Sequence, residues 1–293
     1  MKVKDSKRTV LHHFASVHAL REFGEATPKI EANASTRNHC IRNGGGRVDW
    51  YGLDSLEAVE TALRDGWQDG GEQIESLYDK FKAKLPRAID IRRKRTRSEI
   101  GDSLDILAVY SGRFDKAWET TKRGLKHGTS LVRIVVDVGG HAGMKPEQLR
   151  NRGVAALALS RIITKAGYSC EIVAALGINE AGRGVKQICI SATVKPRHAN
   201  VDSRTLAATL ALSGFFRTVG FRAIVMAADA QGKKCDSSLG YPLAVDSILD
   251  VEQGRVLQVI TPALNTLEDA EQWIKDSLAL FGAQTMSSEG GRA

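Results

Sequence analysis

The sequence predicts an α/β fold, a mostly parallel, Rossmann-like sheet flanked by helices, with a helical N-terminal region in front of it. Three observations predict it. The run "LVRIVVDV" from Leu131 is apolar at nearly every position, as a strand covered on both faces must be. The phrase that follows, "KPEQLRNRGVAALALSRIITKAG", places Leu149, Ala155, Leu159, Ile162 and Ala166 on one helical face and ends on Gly167. The third is an internal echo. "KAGYSCEIVAA" and "TVGFRAIVMAA" share one plan of helix end, glycine, aromatic and apolar strand, with Gly167–Tyr168 and Gly220–Phe221 as matching joints.

The elements follow in order. Residues 11–25, "LHHFASVHALREFGE", carry Leu11, Phe14, Val17 and Leu20 at near-helical spacing, so a short amphipathic helix is expected there. His12, His13 and His18 lie on or near it, but no acid or thiol stands close in sequence to complete a metal set. After a glycine-rich loop, Asp54 and Glu57 form a capping pair for a helix with Leu56, Val59, Leu63 and Trp67 on one face. A second helix continues to Phe81. Trp50 and Trp67 bracket the first of these and read as small-domain core. The basic run "IRRKRTRSE" reads as a linker or surface arm, and a helix is expected around Phe114 to Lys122.

Beyond the turn "KHGTS" the pattern changes. The strand at Leu131 leads to a helix with Pro146 in its first turn, where a missing N–H costs nothing. "YSCEIVAALGI" and "VKQICISATV" are two strands joined as a hairpin by "NEAGRG". "DSRTLAATLALSGFFRTVG" is a helix capped by Asp202 or Ser203 and stopped by Gly220. "FRAIVMAA" is expected as a fourth strand and "GRVLQVITP" as a fifth, before a last helix capped by Thr266. The expected division is a mainly helical region with a basic linker over 1–128, an α/β domain over 129–283 and a flexible tail over 284–293.

Composition narrows the function classes. The 293 residues are 42% hydrophobic and 26% charged, enough for one large core or two modest ones. No apolar run approaches the roughly 20 residues of a membrane helix, and the basic N-terminus lacks the apolar segment of a secretory signal. Cys40, Cys170, Cys189 and Cys235 are dispersed, with no CxxC pair, and read as free thiols of a reducing compartment. A cytoplasmic or virion-associated protein without a membrane partner is expected. The net charge of +8 and a pI near 9.3 point to acidic partners, nucleic acid included. Arg92, Arg93, Lys94, Arg95 and Arg97 form the densest cationic run and are the candidate phosphate contacts. With only 6% aromatic residues, no interleaved stacking platform is expected.

In open parallel sheets, ligands gather beyond the C-terminal ends of the strands. Asp137 ends the first strand, Asp229 ends the expected fourth, and Thr205 begins the second helix on that edge. In this order of elements, Val132 to Gly282 resembles von Willebrand factor A-type domains. In that family an Asp-x-Ser-x-Ser motif, a later Thr and a later Asp bind a divalent cation. The resemblance implies Mg²⁺ as the ion and Asp137, Thr205 and Asp229 as its ligands. Gly139 and His141 stand where the serines would be, so the implied site is degenerate and no cofactor is expected. "GGHAG" lacks the GK[ST] of a P-loop, and no G-x-G-x-x-G joins strand to helix. The phrase "WYG…GW" ahead of this α/β half is similar to uncharacterised proteins of phages and plasmids, which implies a mobile-element origin and no activity.

Three functional readings stand open. The first is a non-enzymatic interaction or scaffold protein of a phage or mobile element, with a protein partner and room for a homo-oligomer. The second is a nucleic-acid-binding protein using residues 92–97. The third is a metal-dependent hydrolase using Asp137, His141 and Asp229. The absence of an assembled catalytic motif favours the first.

Overall fold

The structure, a computed structural model, describes the chain except residues 6–8, 43–47, 84–90, 99–102, 126–130, 141–143, 167, 179–186, 198, 200–201, 236–238, 242–255 and 291–293. It opens with an antiparallel pair, β1 (Lys2–Asp5) and β2 (Thr9–Phe14). The helix expected over residues 11–25 is therefore shorter: α1 (Val17–Glu25) starts at Ser16, whose hydroxyl accepts the Ala19 N–H. Leu11 and Phe14 are buried, but on a strand. Next come α2 (Glu31–Arg42), α3 (Val48–Tyr51), α4 (Leu56–Asp65) and α5 (Gln68–Phe81). Ser55, rather than Asp54, caps α4.

The basic run is not a linker. It is strand β3 (Ile91–Ser98), and with β4 (Ser103–Leu104) and β5 (Trp118–Leu125) it forms a separate three-stranded antiparallel sheet in the order β3-β5-β4. Helix α6 (Ile106–Tyr110) and a 3₁₀ turn at Phe114–Lys116 connect β4 to β5. The helix expected around Phe114 to Lys122 is thus a turn followed by a strand. The sequence "WETTKRGL" carries two adjacent threonines, which suit a pleated strand once a partner is present.

The remaining elements are β6 (Leu131–Asp137), α7 (Pro146–Lys165), β7 (Cys170–Ile178), β8 (Gln187–Lys195), α8 (Ser203–Leu210), α9 (Ser213–Phe215), a π-helical turn at Phe216–Gly220, α10 (Phe221–Ala230), β9 (Leu239–Tyr241), β10 (Val256–Ile260) and α11 (Leu267–Gly290). The expected caps of α8 and α11 are in place. Asp202 accepts from Arg204 N–H, and Thr266 Oγ1 accepts from Asp269 N–H. "FRAIVMAA" is helix α10, not a fourth strand. An apolar run of this length carries no period that separates a strand from a fully buried helix. Here α1, α2 and β8 all pack against it, so a helix apolar on every side is satisfied. Gly220 has helical φ and does not stop the chain; the break falls at Ala211–Leu212, with a 56° bend. The tail expected from 284 is helical to Gly290.

The main sheet runs β1-β2-β8-β7-β6-β10. It is mixed rather than mostly parallel. β10 with β6, β6 with β7 and β2 with β8 are parallel; β1 with β2 and β7 with β8 are antiparallel. β6 ends at Asp137, opposite Ala175, and β9 pairs with β7 just beyond, at Gly177 and Ile178. Strands β1 and β2 thus belong to the same sheet as β6 and β7, so the boundary expected at 128/129 cuts across one sheet. Counted within 129–283, β8-β7-β6-β10 reads 3-2-1-5, with the fourth strand, β9, paired to β7 beyond the end of β6.

Strand alternation sorts the core. Val132, Ile134, Val136, Ile172, Ala174, Leu176, Ile188 and Ile190 face a large cluster shared with α1, α7, α8 and α10, while α4, α5 and α11 pack outside α7 and α8. Leu11, Val135, Ala175 and Cys189 form a smaller cluster on the opposite face. Trp67 is buried in the main cluster and Trp50 packs against it, so the two belong to the large core and not to that of a separate small domain.

Candidate nucleic-acid interface

The three oxygens expected to hold a cation do not meet. Asp137 accepts the Gly139 N–H at 2.9 Å, and its other oxygen lies 3.9 Å from the buried guanidinium of Arg152. Arg152 also donates to the carbonyls of Asp137 and Gly139, at 3.2 and 3.0 Å. The cation beside Asp137 is therefore the protein's own. Burial lowers the Arg152 pKa, and the Asp137 charge opposes that shift.

Asp229 does different work. It receives the backbone N–H of Lys29 at 2.9 Å and of Ile30 at 2.8 Å, and Asn33 Nδ2 at 3.2 Å, ahead of α2. Burial disfavours its charge, but these donors and the Lys29 charge outweigh that and hold its pKa below the ordinary value. Helix α10 crosses the strands. Its start at Gly220 lies against Leu176 of β7, and Gln231 past its end meets His12 of β2 at 3.3 Å. Three strand spacings, about 14 Å, separate β2 from β6, and Asp137 belongs to the alternate set of positions that faces away from α10.

Thr205 donates to Asp202 at 2.5 Å. Asp202 shares a cleft with Arg161, Thr164 and Lys165, about 18 Å along α7 from Arg152. Asp137, Thr205 and Asp229 are thus three separate polar contacts. Among the described residues no three His, Cys, Asp or Glu side chains cluster as an ion would require. His141 lies outside the described residues. The residue that does stand beside Asp137 is Thr261, at the end of β10, whose Oγ1 accepts the Asp137 N–H at 3.2 Å. Assigning the fourth strand to residues 221–228 hid it.

A second polar contact links β2 to β8. His13 Nδ1 lies 2.9 Å from Ser191 Oγ, opposite it in register. Burial lowers the His13 pKa and Glu171 raises it. A serine nucleophile must be reached by its substrate, and Ser191 is 1% exposed.

The small sheet concentrates charge. β3 and β5 carry Arg92, Arg93, Lys94, Arg95, Arg97, Lys122 and Arg123 against one carboxylate, Glu119. The register places Arg93 opposite Arg123 and Lys94 opposite Lys122. Because alternate positions belong to opposite faces, each face of the ribbon holds one like-charged pair. Directly opposed like charges destabilise a strand pair unless an anion lies between or over them. Arg95 faces Thr121, and Arg97 faces Glu119. All five candidate phosphate contacts therefore lie on one strand of this ribbon.

The connection from β4 to β5 inverts the usual order of burial. Ala108 and Ala117 are buried, while Leu104, Ile106, Tyr110, Phe114 and Trp118 are exposed. Arg113 and Lys116 are exposed among them. Overall aromatic content concealed this local density. The signal was the segment "YSGRFDKAW", whose i, i+4, i+8 aromatic spacing also reads as a helix face.

One family model, described as a domain of unknown function (DUF7192), matches residues 2–285. The match runs across the ribbon and the main sheet alike. No curated protein and no solved structure matches the chain.

Proposed function

The chain belongs to the DUF7192 family, and from its own geometry we propose that it binds nucleic acid, gripping phosphates with the β3–β5 ribbon. The observation that carries this reading is the register of Arg93 with Arg123 and of Lys94 with Lys122. One like-charged pair on each face weakens the ribbon by itself and is relieved by a polyanion laid on that face. A two-stranded ribbon also has the width to enter a major groove or follow a single strand. The main sheet serves as the scaffold that carries the ribbon. The parallel β10-β6-β7 core, with α7 following β6, supports a von Willebrand A-like reading of that scaffold, with Arg152 beside Asp137 at the end of β6.

The test replaces Arg92, Arg93, Lys94, Arg95 and Arg97 with Gln and follows binding of labelled DNA and RNA by anisotropy across a salt series. The wild-type affinity should fall steeply with salt, and the variant should lose up to about four units of the log–log slope. Wild-type protein that binds neither DNA nor RNA at low salt would end this reading. Retention of a protein partner by the Gln variant would then return weight to a scaffold role.

A further inference from the structure

We propose, resting on the ribbon reading, that the segment from Leu104 to Trp118 is a stacking platform for unpaired bases, so that the ribbon's preferred ligand is single-stranded nucleic acid. Tyr110 is 87% exposed, Phe114 66% and Trp118 37%, within nine residues. Flat rings offered to solvent in such density mark an interaction surface, and among the described residues of this segment the buried side chains are Ala108 and Ala117.

The rings are offered from a fixed frame. Asp105 N–H donates to the Ala117 carbonyl at 2.7 Å and closes the segment. The Asp105 carboxylate accepts the Ala108 N–H at 3.2 Å and starts α6. Gly112 takes φ +71°, a left-handed turn that returns Arg113 N–H to the Ala108 carbonyl at 2.9 Å. Such pre-organisation lowers the entropy lost when a ligand is held.

The charges around the platform sort base from phosphate. A cleft of about 360 Å³ is lined by Leu104, Val109, Phe114, Asp115, Ala117 and Trp118. Among the described residues its charged wall is Asp115, which repels phosphate but can accept from the exocyclic amine of a base. Exposed cations flank it in the same segment, Arg113 and Lys116, and along β5 Lys122 occupies the same alternate set of positions as Trp118. Lys94 stands opposite Lys122. Bases in the cleft and backbone along the ribbon is the arrangement these groups permit. A duplex keeps its base faces stacked inside and cannot use the rings.

The experiment titrates the full chain with a labelled single strand, its duplex and an abasic strand of the same length, at one salt concentration. The single strand should bind about tenfold or more tighter than the other two. Tyr110→Ala combined with Phe114→Ala should lose that advantage on the single strand alone and leave the salt slope unchanged. Both side chains are mostly solvated, so the thermal melt should not move. If the three ligands bind alike, or the double variant loses equally on all three, stacking is overturned while the ribbon reading stands. If none of them binds, both readings fall. If the double variant keeps its single-strand affinity but loses a concentration-dependent self-association, the patch is an interface with a second copy and the proposal is overturned.

Discussion

Asp229→Ala separates a helix-lead cap from a metal ligand. The carboxylate holds two consecutive backbone donors, Lys29 N–H and Ile30 N–H, one on each oxygen, at 2.9 and 2.8 Å. Asn33, fully buried, gives it a third bond at 3.2 Å but keeps its contact to the Lys233 carbonyl at 2.9 Å and still accepts from Cys235 N–H. Alanine therefore orphans two backbone donors and half-orphans an amide. Loss of a capping side chain costs about 0.5–2 kcal/mol. Charge-assisted bonds lie at the upper end of hydrogen-bond values, so about 2–4 kcal/mol is expected in total. For a chain of this size that lowers the melting temperature by roughly 3–7 °C. The loss should depend on pH. A carboxylate whose folded pKa is depressed contributes stability above its unfolded value, about pH 4, and loses it as pH falls through the folded value. The gap between wild type and Asp229→Ala should be full at pH 7 and close in strong acid. Asp229→Asn, which keeps one acceptor oxygen, should recover part of it. The assay is a thermal melt followed by circular dichroism at several pH values, with and without Mg²⁺. A variant that melts with wild type at pH 7 would refute the capping argument. So would a Mg²⁺-dependent rise in the wild-type melting temperature that Asp229→Ala abolishes.

Two further outcomes follow from packing. A Cβ at Gly153 would stand 2.3 Å from the Leu210 carbonyl oxygen and 2.5 Å from Ala211 Cα, so α7 and α8 would have to part. Gly153→Ala should cost about 3 kcal/mol or more, read as a lower urea midpoint at unchanged slope; an unshifted midpoint would show that this crossing gives way easily. Burial pushes the Cys170 thiol up to about 11, against the Lys195 charge, and pushes Cys189 up to about 12, with Asp137 adding to the shift. At pH 8 iodoacetamide should leave the peptides holding Cys170 and Cys189 unmodified until denaturant is added; rapid labelling of the native chain would contradict their burial. Both thiols also contribute stability that is complete below the ordinary value of 9.0 and fades as pH rises toward the folded values.

The sequence alone determined what is local. The strands at Leu131, Cys170, Gln187 and Val256, the hairpin between β7 and β8, Pro146 in the first turn of α7 and the caps at Asp202 and Thr266 are all where the residues place them. Each is set by contacts within a few residues, or by an apolar run with turn chemistry on either side. Only the tertiary structure decided the rest. "FRAIVMAA" is equally apolar as strand or helix, and its surroundings, α1, α2 and β8, chose helix. "WETTKRGL" is a strand because β3 pairs with it, and that pairing also turned a basic arm into one strand of a charged ribbon. The partners of Asp229 at Lys29 and Ile30 lie about 200 residues away in sequence. No local period encodes a hydrogen bond of that span. The exposure of Tyr110, Phe114 and Trp118 is likewise decided by the tertiary structure. Among the described residues of that segment Ala108 and Ala117 are the buried ones, while the rings stand in solvent.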